Sequence, residues 1–111
     1  MSESGQDASA LRAEPAALTS DGLFVVERRL PRINDHQLTV LQAALTSAAS
    51  RFSARGDGVR LVGSLFLARQ ERLLSLFTAE SLEAVRAVNE ASLIPFASIE
   101  PAVQLPGLEE S

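Results

Sequence analysis

The stretch from Val59 to Phe77, VRLVGSLFLARQERLLSLF, constrains the fold more than any other part of the chain. Two apolar runs, Val59 to Leu67 and Leu73 to Phe77, flank the polar segment Ala68-Arg69-Gln70-Glu71-Arg72. That spacing predicts a β-hairpin. A turn centred near Arg69 sets Leu65 opposite Leu73, Gly63 opposite Ser75 and Leu61 opposite Phe77. Side chains alternate between the faces of a strand. One face is then expected to carry Leu61, Gly63, Leu65, Leu73, Ser75 and Phe77, and the other Val62, Ser64, Phe66, Leu74 and Leu76. Both sets are largely apolar, so the hairpin has to be covered on both sides.

The remaining elements fall around this hairpin. Leu23 to Leu30 (LFVVERRL) reads as a strand between Asp21-Gly22 and Pro31, with Phe24, Val26 and Arg28 on one face and Val25, Glu27 and Arg29 on the other. Asn34 followed by Gln37 approximates a capping box. Leu38, Leu41, Leu45, Ala48 and Phe52 then recur at helical spacing, and Gly56 is placed to end that helix. After the hairpin, Thr78 is positioned to cap a second helix carrying Leu82, Val85 and Val88, which Pro95 closes. A last strand, about Ser98 to Leu105, contains Pro101; proline lacks an N–H for the ladder, so this strand is expected to lie at an edge or to carry a bulge. Residues 21–106 thus form the expected domain. Residues 1–20 read as a flexible tail, or as an arm packing on a second subunit through Leu11, Ala16, Ala17 and Leu18, and 107–111 as a C-terminal tail.

The order is strand, helix, strand, strand, helix, strand. Right-handed crossovers and hairpin pairing turn it into an α+β, ferredoxin-like βαββαβ domain: a four-stranded antiparallel sheet of spatial order 4-1-3-2 with both helices on one face. The hairpin's other apolar face then lacks a cover, and soluble monomers rarely expose such a patch. A homodimer packed sheet to sheet, a dimeric α+β barrel with a cavity between the sheets, resolves this.

Composition removes several classes of function. A net charge of −4 argues against nucleic acid or an anionic membrane as partner. The absence of Cys excludes disulfides, thiolate nucleophiles and Cys-ligated metals. No apolar run approaches the roughly 20 residues of a membrane span, and no secretory leader opens the chain, so a cytoplasmic location is expected.

The elements VERRLP, VRLVGSLF, LLSLFTAES and LIPFASIEPAVQL, in that order, resemble a family of small bacterial ferredoxin-like domains of unknown function that includes a nickel-binding member. The matching positions are Val26, Glu27, Arg28, Val62, Ser64, Ala79, Ser81, Pro95 and Ile99. Where that family tends to carry Trp, His and Tyr, this chain has Leu61, Gly63 and Leu65. Ser75 and Phe77 replace a Cys and a Tyr, and a helical His falls near Val88. The resemblance implies the fold, and it implies that the hairpin face with these replacements is the cavity wall. The family's metal ligands are not carried over, so neither a metal nor another cofactor is expected.

Few side chains remain to carry chemistry. His36, the lone histidine, reads as an exposed first-turn residue; without Cys or a second His it makes a poor metal site. Ser64 has no His–Asp partner pattern to make it a nucleophile. The Gly56-Asp57-Gly58 turn lacks the Lys and the spacing of a phosphate loop. Glu27 and Arg29 share a strand face and are placed to orient the polar end of a ligand; burial would raise the Glu27 pKa toward that of a base. The expected ligand-binding set is therefore Glu27, Arg29, Leu61, Gly63, Leu65, Leu73, Ser75 and Phe77, with Glu27 as the catalytic candidate. The function expected is non-catalytic binding of a small, mostly apolar ligand in the cavity of a homodimer. A cofactor-independent isomerase, cyclase or monooxygenase using Glu27 and Arg29 is the alternative, and nickel binding, by resemblance alone, is the third.

Overall fold

In a computed structural model, which describes residues 22–107, the chain runs β1 (Gly22–Arg29), α1 (Asp35–Ala54), β2 (Arg60–Leu67), β3 (Arg72–Ala79), α2 (Leu82–Ala91) and β4 (Ser98–Ala102). The strands form one antiparallel sheet in the order β2-β3-β1-β4, the expected topology. The expected N-terminal tail, with its arm reading, lies outside the described residues, as does the C-terminal tail beyond Gly107.

Local chemistry explains where the elements begin and end. Asn34 accepts from the Gln37 backbone at 2.7 Å, and Gln37 returns a side-chain acceptor to the Asn34 N–H at 3.0 Å, so the capping box forms as expected. Past the end of α1, Gly56 takes a positive φ of 90°, the conformation that favours glycine. Pro101 lies in β4, an edge strand that pairs only with β1. The second helix differs from expectation. β3 stays paired with β1 as far as Ala79, so Thr78 belongs to the strand, and Ser81 caps α2 by accepting from the Ala84 N–H at 3.1 Å.

The hairpin also departs from the expected register. Its loop, Ala68–Glu71, closes on a Leu67–Arg72 pair, with Glu71 at a positive φ of 56°. That shifts the pairing by one residue: Phe66 faces Leu73, Leu65 faces Leu74 and Ser64 faces Ser75. Val62 is the extra residue of a β-bulge, beyond which the expected Leu61–Phe77 pair is restored. A shift of one residue moves every side chain to the opposite face. Leu73, Ser75 and Phe77 therefore lie beneath the helices, all buried, and not on the wall expected for them. Gly63 and Leu65 instead share the other face with Leu74 and Leu76.

The core sits between the sheet and the two helices. Phe24 and Val26 of β1 and Phe77 and Ala79 of β3 pack with Ala48 and Ala49 of α1 and Val85 and Val88 of α2. A second cluster joins Leu41, Leu45 and Leu73. Arg28 is fully buried at the same level. Its Nη2 donates to Asn89 Oδ1 at 2.9 Å and to the Ile94 carbonyl at 3.1 Å, and its guanidinium lies 5.7 Å from the Phe96 ring centroid. Desolvation pushes its pKa down to about 10, still charged at neutral pH. These bonds tie the segment after α2 to β1 from inside the domain.

The register predicts a stability difference. Phe77→Ala should cost about 3–5 kcal/mol, since it opens a cavity in the core. Chemical denaturation measures it. A loss well below that range would return Phe77 to the uncovered face.

Candidate functional site

Among the described residues, the sheet face away from the helices is uncovered over much of its area. Val62 and Leu65 of β2 are 52% and 59% exposed. Val25 of β1 and Leu74 and Leu76 of β3 are half-buried beside them. At the far end Leu23, paired with Thr78 and Ala102, is buried. Gly63 adds free space, because a Cβ built there would meet nothing within 4 Å.

A paired carboxylate and guanidinium interrupt this surface. Arg72 donates to Glu27 through Nε at 2.8 Å and Nη2 at 3.1 Å, a two-pronged bond that fixes both side chains. Gln70 holds the remaining Arg72 nitrogen, Nη1, at 2.6 Å. Glu27 stands opposite Leu74 and Arg29 opposite Arg72, so the ion pair runs diagonally across β1 and β3. The hydrogen-bonded guanidinium holds the Glu27 carboxyl below the usual carboxylate range, against desolvation, which acts the other way; the charges of Arg72 and Arg29 add to the lowering. The raised pKa expected of a buried base is thus not found. A shallow hollow of about 270 Å³ lies beside the pair, with Val25 and Leu74 among its walls and Ser98, Glu100 and Ala102 of β4 along its other side.

The face brings together Glu27, Gly63 and Leu65, with Arg29 exposed at the end of β1. It does not bring Leu61, Leu73, Ser75 or Phe77, which pack on the helix side. Arg72 was missed as the partner of Glu27 because the expected register left it in the turn; the β1–β3 neighbour relation was the available signal. Also missed was a hydroxyl chain on the helix side, in which Ser64 Oγ lies 2.9 Å from Ser75 Oγ and donates to Gln42 Oε1 at 2.8 Å. Ser64 is therefore occupied by hydrogen bonds and has no histidine beside it.

Gly63, Leu65, Ser75, Phe77 and Val88 carry no imidazole, thiol or carboxylate. His36 is exposed in the first turn of α1. Among the described residues no three His, Cys, Asp or Glu side chains converge as a metal cluster. Likewise, among them no helix is long and apolar enough to cross a membrane.

A four-stranded antiparallel sheet with two helices on one side is an α+β, ferredoxin-like fold. It is shared with SCO4226 from the bacterium Streptomyces coelicolor A3(2). That crystal structure matches 77% of this chain and 99% of its own at a TM-score of 0.62 and 20% sequence identity. Identity at this level shows a common fold. No protein-family model matches the sequence, and no curated protein matches it.

The Glu27–Arg72 pair predicts a pH dependence. A carboxyl whose folded pKa is depressed stabilises the fold above its unfolded pKa and loses that contribution as pH falls through the lowered folded value. Comparing the stability of the wild type and Glu27→Gln across acidic pH should show a gap at neutral pH that closes toward low pH. A gap of constant size would contradict the pairing.

Proposed function

We propose that the protein is a cytoplasmic homodimer in which two sheets meet through their uncovered faces and enclose a cavity for a small, mostly apolar ligand. It is then a relative of the small bacterial ferredoxin-like family named above in which the metal positions have become small or apolar. The observation that carries this reading is the apolar face of Val25, Val62, Leu65, Leu74 and Leu76, for which the two helices of the described residues supply no cover.

The same geometry supports a cavity. One hollow of about 270 Å³ is small for a ligand site. Two facing each other reach the roughly 300–1,000 Å³ typical of such sites, and the space over Gly63 adds to it. The Glu27–Arg72 pair and Arg29 supply the few polar anchors that orient a ligand in an apolar pocket. Catalysis by Glu27 as a base uses the same face, but a carboxylate held ionised by Arg72 favours anchoring over proton abstraction.

Leu65→Glu should convert the dimer to monomer at micromolar concentration, since burying an unpaired carboxylate costs several kcal/mol. Val40→Glu, on an exposed position of α1, is the control and should leave the mass unchanged. Sedimentation of both variants decides the matter. A Leu65→Glu protein with the wild-type mass would place the interface elsewhere.

A further inference from the structure

The helix side of the domain holds a second concave region. Helix α1 carries no Asp, Glu, Lys or Arg from His36 to Ser50, although many of these positions are exposed. Along its flank, toward β2, runs an open groove of about 840 Å³. Leu38, Phe66 and Leu73 supply its apolar surface. Ala43 and Ser47 line it with small side chains that leave it open. From Leu38 to Arg51 it follows the helix for about 20 Å at 1.5 Å per residue.

Its polar groups are mostly hydroxyls: Thr39, Thr46, Ser47, Ser50 and Ser64 line it beside Gln42 and Arg51. Ser75 is fully buried and passes its hydrogen bond through Ser64 to Gln42 on the groove wall. Gln42 Oε1 is thereby engaged, and its Nε2 donors have no partner among the described residues. Arg51, at the C-terminal end, is the sole charged side chain of the lining among the described residues. Its Nη1 donates to Ser47 Oγ at 3.0 Å, and among the described residues no carboxylate pairs with it.

We infer that this groove binds an elongated amphipathic monoanion, with its acidic head on Arg51 and its apolar body along Leu38, Phe66 and Leu73. The charge decides the sign: the Arg51 guanidinium favours an anionic head, and among the described residues no acidic side chain lines the groove to receive a cation. The single cation argues for a monoanion over a phosphate dianion. The length and the apolar floor argue for a chain over a compact polar metabolite. The groove lies on the opposite side of the sheet from the proposed dimer face, so the two readings stand or fall separately.

Dodecanoate below its micellar concentration is the probe, with dodecyltrimethylammonium and dodecanol as chain-matched comparisons, titrated into the full chain and followed by backbone amide shifts. Dodecanoate should saturate and shift amides in Leu38–Arg51 and Ser64–Phe66, and bind more tightly than either comparison. Arg51→Gln should weaken it roughly tenfold, the loss of one charge-assisted contact. Ala43→Phe, an exposed substitution that fills the groove, should abolish it while leaving the circular dichroism unchanged. An absence of saturation, equal affinity for the ammonium, retained affinity in Arg51→Gln, or shifts confined to Val25, Leu65, Leu74 and Leu76 would each overturn the inference. The mass measured for Leu65→Glu reports on the dimer independently of all these results.

Discussion

The two helices of the described residues lie on the same face of the four-stranded sheet and leave its other face without a helix. Everything else follows from that constraint. The covered side takes Phe24, Val26 and Phe77, which pack under Ala48, Ala49, Val85 and Val88. The other side keeps apolar residues at Val25, Val62, Leu65, Leu74 and Leu76, where a solvated antiparallel sheet would alternate to polar ones. A hydrophobic surface left in water carries a free-energy cost of roughly 25 cal/mol per Å². Covering it with an identical face removes that cost from both copies at once.

The architecture was legible in the sequence because its signals are local. The Asn34–Gln37 capping box, the glycine after α1 and the proline of the edge strand each act within a few residues, and each stands where expected. The candidate site was legible only in part, because it depends on register. A hairpin loop closing on Leu67–Arg72 shifts the pairing by one residue, and the bulge at Val62 shifts it back before Leu61. Both ends of that compensation are invisible to simple alternation, since residues of either phase are apolar. Alternation alone consequently puts Leu73, Ser75 and Phe77 on the wrong face, and Leu61 beyond the bulge as well, while Gly63 and Leu65 fall on the right one. The same shift hid Arg72, which it moves out of the turn and onto the strand beside Glu27.

The polar residues of the two sides play different roles. On the covered side Arg28 stands among apolar groups and is held by Asn89 and the Ile94 carbonyl, so its bonds organise the return from α2 to β4. On the open side Glu27 and Arg72 neutralise each other through a two-pronged bond, so that face presents a charge pair with little net charge. Such a pair can be brought against an apolar partner surface at lower desolvation cost than an isolated charge. It also gives the hollow beside it a fixed polar edge, which suits orientation of a ligand better than transfer of a proton.

The most direct test of the sheet-to-sheet account is the mass of the native protein in solution. One chain weighs 11.8 kDa. Multi-angle light scattering at micromolar concentration should give twice that value, unchanged on moderate dilution. A mass equal to that of a single chain would leave the apolar face without a partner sheet and contradict the account.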